Sequence, residues 1–261
     1  MRLGAGYCSE PLSVIAGAHI VSEVIYIRKH IKHIAFGAAL AAAVIFGGTG
    51  CNKNSAEVAV KDGQTLLIES LNEKYGESFT FVDNAGGGTA MQDHCAIHVR
   101  SEKLPDDTVY AVRGVFDGKT ENRDNYMAYY LRKDAEAYLQ SMAEQVYGKC
   151  RTFYAPDDKM VLPADMGKDS TVQEMLKASK CYYSVLLPGG QDLSKKEKKL
   201  DELLEKLKDE KIRCYFYIAY LDDDKYYDSA VSAADADKSH IIADCTVGMD
   251  DEFNITDKKW G

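Results

Sequence analysis

Apolar positions recur along this chain with two periods, and the switches between them mark out helices and strands. Over residues 64–75, Leu67, Ile68, Leu71 and Tyr75 share one face at the 3.6-residue period, and Gly76 stands where a helix would stop. A strand over 78–82 follows, then Asn84-Ala85-Gly86-Gly87-Gly88 as a turn. Residues 92–100 and 108–115 read as two further strands, hinged at Leu104-Pro105-Asp106-Asp107. The spacing of Met127, Leu131, Ala135, Tyr138, Met142 and Val146 predicts one long helix over 124–147, ended by Gly148, with a short strand at 150–154 after it.

Residues 155–167 hold Pro156, Pro163 and several acids, and form the best candidate boundary. Beyond it, 171–179 reads as a short helix, 181–187 as a strand and Pro188-Gly189-Gly190-Gln191 as a turn. Ser194 and Glu197 have the spacing of a capping box, which would start a helix whose buried stripe is Leu200, Leu203, Leu204 and Leu207. A strand over 213–220 completes a βαβ unit, for which parallel strands and a right-handed crossover are expected. Residues 222–236 read as a loop or poor helix, 240–247 as the last strand, and the acidic tail to Gly261 as loose. The expected fold is α+β, in one or two compact lobes with mixed sheets. An N-terminal lobe would span 63–155, and a C-terminal lobe with the βαβ unit 165–261.

The N-terminal quarter has a different composition. Arg28, Lys29 and Lys32, with His30 and His33, precede an uncharged apolar run over 34–50 and then Cys51. At ~1.5 Å per helical residue the run spans roughly 25 Å, short for a bilayer core, and small residues close it. Cationic flanks stay on the cytoplasmic side. This order resembles the type II signal peptide of bacterial lipoproteins, with Gly50 and Cys51 matching the end of that motif and Gly48 departing from its usual aliphatic residue. The resemblance implies cleavage before Cys51, lipidation of that thiol with palmitate-type chains, and a protein held by lipid on the extracytoplasmic face of the cell membrane. An uncleaved transmembrane anchor is the alternative, and it leaves the body on the same side. Residues 1–27 read as an extension ahead of the signal at 28–50, and 51–62 as a polar tether. A second, shorter resemblance lies in Leu71 to Asp83, LNEKYGESFTFVD, which is similar to a phrase in small uncharacterised lipoproteins of Gram-positive bacteria.

Charge narrows the partners. The chain carries a net charge of −9, and after residues 1–50 are set aside 39 acids face 28 bases. That excess argues against nucleic acid and against adhesion to anionic lipid by charge. The body holds Cys95, Cys150, Cys181, Cys214 and Cys245, an odd number that allows at most two internal bridges. Buried thiols are the favoured reading, with a Cys181–Cys214 bridge across the βαβ unit as the alternative.

Candidate chemistry is sparse. His94 and His98 share one strand face and are weak candidates for a metal, which wants three or four converging ligands. Asp222, Asp223, Asp224 and Asp228 lack the spacing and central glycine of a calcium loop and read as a solvated turn. The glycine run at 86–88 lacks a following Lys-Ser/Thr pair, no Gly-x-Ser-x-Gly is present, and neither His240 nor Cys150 shows a catalytic partner. No cofactor is implied. The aromatic side of the C-terminal half is more informative. Tyr215 and Tyr217 alternate with Cys214, Phe216 and Ile218, while Tyr182, Tyr226 and Tyr227 lie on neighbouring segments. Either the helix over 194–210 covers these tyrosines as core, or they form a binding surface. The expected function is an anchored extracytoplasmic module that binds an unknown ligand or envelope protein. A cell-envelope hydrolase with carboxylates not identifiable from the sequence, or a purely structural envelope component, are the alternatives.

Overall fold

The chain is described by a computed structural model that covers residues 62–86, 94–230, 232 and 238–261. Helix α1 (Gly63–Tyr75) starts at Asp62, whose carboxylate accepts from Thr65 N–H at 2.7 Å, and ends at Gly76 with φ 60°. Strands β1 (Phe79–Asn84), β2 (Cys95–Ser101), β3 (Val109–Phe116) and β4 (Lys119–Asp124) form an antiparallel meander in that order. On β2, Cys95, Ile97, Val99 and Ser101 are buried while Ala96, His98 and Arg100 face outward, the period-2 pattern of a half-buried strand. Strand β4, KTENRD, is missing from the sequence reading. It has no apolar alternation and is held by the tight Asp117-Gly118 turn, where both residues take positive φ.

The long helix expected over 124–147 is two: α2 (Tyr126–Tyr130) and α3 (Arg132–Tyr147), with Leu131 between them outside helical geometry. The break rotates the buried stripe of α3 to Ala135, Leu139, Met142, Ala143 and Tyr147, leaving Tyr138 and Val146 only partly covered. Then come β5 (Arg151–Pro156), α4 (Val172–Ala178), β6 (Lys180–Leu187), α5 (Lys196–Asp209), β7 (Arg213–Leu221), α6 (Asp224–Ser229), β8 (Ile241–Met249) and β9 (Ile255–Trp260). The second sheet has the order β5-β6-β7-β8-β9; β6 and β7 are parallel, joined by α5, and the other pairs are antiparallel. The mixed sheet and its βαβ unit are those expected. The tail is not loose, because β9 pairs with β8 and Lys258 reaches Asp201 at 2.6 Å and Glu197 at 3.3 Å on α5.

Helix termini differ from the sequence reading. The capping box sits at Thr171 and Glu174, with Glu174 N–H donating to Thr171 Oγ1 (3.3 Å) and Thr171 N–H to Glu174 Oε2 (2.7 Å). Ser194 instead donates to Asp192 Oδ1 at 2.6 Å inside a 3-10 turn, and α5 begins without a side-chain cap. Its other end is a Schellman motif: Ile212 N–H reaches Leu207 O (2.8 Å) and Lys211 N–H reaches Lys208 O (2.9 Å), while Leu207 and Ile212 are both buried. Lys211 holds the left-handed position, φ 56°, where glycine is usual.

One apolar cluster runs from Leu67 of α1 through β2, β3, α3 and α5 to Met249 of β8. Leu162 and Met166, in the proline-containing stretch read as a boundary, are buried in it, and Leu162 N–H bonds to Asp124 O at 2.8 Å. The two sheets therefore share a core.

The Schellman motif yields a test. Lys211→Gly removes a side chain from a left-handed residue, and is expected to stabilise the protein by about 0.5–1 kcal/mol in urea unfolding. An unchanged midpoint would mean the α5 terminus carries no backbone strain.

Candidate binding face

The sheet β5–β9 has two unlike faces. One packs Cys181, Tyr183, Val185, Cys214, Phe216, Ile218, Ala243, Cys245 and Val247 into the core with the leucines of α5. The other carries Phe153, Lys180, Tyr182, Ser184, Arg213, Tyr215, Tyr217 and Thr246, all intermediate or exposed. Helix α5 lies on the first face, so the tyrosines at 215 and 217 are not its core partners. The register lines them up: Tyr182 is opposite Tyr215, and Phe153, Ser184, Tyr217, Thr246 and Lys259 form one row across the sheet.

Ring geometry decides what this face can offer. Tyr182 and Tyr215 have centroids 5.2 Å apart and planes 23° apart. Parallel rings at that separation overlap with an offset, so each turns a face to the other. Lys180 Nζ lies 4.0 Å from the Tyr215 centroid. Tyr215 is nonetheless 38% exposed. Tyr217 is more enclosed; burial first, and the Asp244 carboxylate second, push its phenol up.

The remaining tyrosines take other places. Tyr227, on α6, is buried in a small apolar cluster against the sheet, and burial raises it to about 12. Tyr226 stacks on His240 at 3.5 Å, away from the tyrosine pair. His240 Nδ1 lies 2.8 Å from Asp222 Oδ1, and these residues line an open cleft of about 460 Å³ with Gly189, Gly190, Asp223 and Asp224. The cleft's carboxylates are engaged locally: Asp223 accepts from Lys225 N–H and Asp224 from Gly189 N–H. His98 pairs with Asp83 at 2.6 Å on the outer face of the first sheet, and His94 is exposed on the same face. Among the described residues no three His, Cys, Asp or Glu side chains converge as metal ligands. Cys51 lies outside the described residues.

Sequence reasoning missed the buried carboxylates. Glu77 has a fully buried side chain that accepts from Tyr126 Oη (2.5 Å) and Ser101 Oγ (2.7 Å) and meets Lys168 Nζ at 3.2 Å. Asp124, also buried, accepts from Tyr75 Oη (2.7 Å), Tyr126 N–H (2.9 Å) and Lys74 Nζ (2.9 Å). Burial would raise the Glu77 carboxyl, but the bonds from Tyr126, Ser101 and Lys168 outweigh it and hold the group below its ordinary value. Both acids have their oxygens taken by protein donors, which suits cohesion rather than hydrolysis. The only sequence trace was Tyr75-Gly76-Glu77, an acid directly after a helix stop.

All five body thiols are buried and unbridged. Cys181 and Cys214 are neighbours across the parallel pair, as the alternative pairing requires, yet Cys181 Sγ points toward Arg213 O at 3.7 Å. Burial raises Cys214 to about 12, and Cys150 and Cys245 to about 11.

Comparison with known proteins places the chain only loosely. No family model matches, and neither does any curated protein. Among solved structures, a DUF5037 family protein from Ruminococcus gnavus is similar at 13% identity and a TM-score of 0.33, over 75% of this chain and 87% of that one. A likeness at that level carries no argument about function.

Two tests follow from these groups. Because the folded Glu77 carboxyl lies below its unfolded value, its contribution to stability is full at neutral pH and is lost as pH falls through the folded value. Glu77→Gln is expected to cost about 1–3 kcal/mol at neutral pH and to flatten the decline of stability on the acid side. An equal acid slope in both proteins overturns the assignment. For the thiols, a disulfide reagent is expected to modify the body's five cysteines within the dead time after denaturation and only slowly in the native protein. Finding three reactive thiols, with Cys181 and Cys214 in one linked peptide, would show a bridge.

Proposed function

We propose that this protein is a lipid-anchored extracytoplasmic module that binds a polypeptide partner of the cell envelope through the open face of its second sheet. The observation that carries the reading is the row of part-exposed tyrosines on a face that α5 leaves uncovered. Tyrosine combines apolar contact area with a hydroxyl, and it is enriched where surfaces stay partly wet. The stack of Tyr182 on Tyr215 favours a polypeptide over a ring-shaped ligand, since one face of each ring is taken by the other and Lys180 also lies against the Tyr215 ring. A backbone carbonyl of a partner would accept from the Tyr215 hydroxyl, while its apolar side chains would pack on the tyrosine rings. The anchoring part rests on the signal-like stretch that ends at Cys51.

A Tyr215→Ala/Tyr217→Ala double variant tests the binding surface. It is expected to keep its unfolding cooperativity and to lose retention of an envelope protein that the parent chain holds. Unfolding of the variant would make both residues core, and undiminished retention would move the binding site elsewhere. The anchor is tested separately. Cys51→Ala is expected to abolish incorporation of labelled palmitate and leave an uncleaved precursor; normal labelling would overturn the lipoprotein reading.

A further inference from the structure

The sheet β5–β9 carries a second apolar cluster on its open side, separate from the core. It consists of Leu186, Ala219, Leu221, Tyr227 and Ala230, with Phe153, Tyr217 and Ile241 packed against it. Its roof is α6 (Asp224–Ser229), six residues long and too short to be a stable helix by itself. Helix α6 and the residue after it bring Tyr227 and Ala230 to this cluster. The fastenings at its margin are mostly polar. Arg151 Nη1 donates to Tyr227 O (2.7 Å) and Asp228 O (3.1 Å), Gly189 N–H donates to Asp224 Oδ1 (3.1 Å), and Tyr226 lies on the His240 ring. Beneath the roof, Leu186 and Ala219 sit on β6 and β7, which are held on both sides by strand partners and below by the main core.

We propose that α6 is a displaceable cover, which lifts from the sheet as a unit while β6 and β7 stay folded. Segments with few buried apolar contacts and peripheral polar fastenings open at a lower cost than the strands they lie on. Lifting α6 adds Leu186, Ala219 and Leu221 to the face that already presents Tyr217 and Phe153, and extends a short tyrosine patch into a longer apolar groove. This gain in binding surface rests on the reading of the open face given above; the motion itself rests only on the packing.

Native-state hydrogen exchange on the full chain, across a series of low urea concentrations, tests the motion. The amides of Tyr227 and Ala230, bonded to Asp223 O and Tyr226 O, are expected to exchange with little urea dependence and about a hundredfold faster than those of Tyr183 and Ile218. Arg151→Ala, which removes the two bonds to the α6 carbonyls, is expected to speed the first pair about tenfold and leave the second pair unchanged. A single urea-dependent rate shared by all four amides overturns the cover, as does an equal acceleration of both pairs in the variant. If Arg151→Ala does not fold, the urea series on the parent chain decides the matter. Retention lost in the Tyr215/Tyr217 variant with α6 opening only globally would leave the binding face standing and remove the cover; retention kept with α6 opening locally would do the reverse.

Discussion

Two buried carboxylates around Tyr126 hold the fold's first half to its second. Tyr126 donates its hydroxyl to Glu77 and its N–H to Asp124. Those acids in turn gather α1 through Lys74 and Tyr75, β2 through Ser101, and the stretch before α4 through Lys168. The rings of Tyr75 and Tyr126 lie 4.4 Å apart between the two acids. A buried charge left without donors costs several kcal/mol, so each of these segments is needed in place for the others to be stable. That mutual requirement explains why a stretch with two prolines and three acids, at 155–167, is packed into the core rather than left as a linker.

With the first half secured, the asymmetry of the second sheet follows from its connections. The crossover between the parallel strands puts α5 on one face, and α3 fills the same side: Tyr183 donates its hydroxyl to Leu139 O at 3.0 Å. No element of comparable length returns across the other face among the described residues. Parallel strands are usually covered on both sides. Here, among the described residues, the parallel pair is covered on one side by helices and on the other by α6 and Ala230, and the uncovered remainder carries the tyrosines. The proposed binding surface is thus a by-product of topology: the helix that joins the two parallel strands packs on the core side of the sheet.

Several local devices were invisible for an identifiable reason. The Schellman end of α5 uses Lys211 where a glycine would have announced it. Strand β4 has no hydrophobic alternation, because an edge strand beside a tight turn needs backbone pairing more than side-chain burial. Strand β9 is bound to α5 through Lys258 by ion pairs, and residues that form ion pairs look like a solvated tail until the partner acids on α5 are in place. Ser194 and Glu197 had the right spacing for a capping box, but Asp192, two residues earlier, took the serine into a 3-10 turn first.

By itself the sequence determined what depends on near neighbours. The helical stripe of α5 and the period-2 alternation of β2 and β7 are local patterns, and with the strand–helix–strand order of the βαβ unit they were enough for the fold class. Alternation also put Tyr215 and Tyr217 on the face opposite Phe216, since successive side chains on a strand must point to opposite sides. Only the tertiary structure decided which of those faces α5 would cover, that Tyr227 would be buried against the sheet while Tyr215 stayed exposed, and that Glu77 and Asp124 would share one tyrosine. Those outcomes join residues as much as 91 positions apart, such as Glu77 and Lys168. Contacts at that range leave no period in the sequence, because they are fixed by how the finished elements pack.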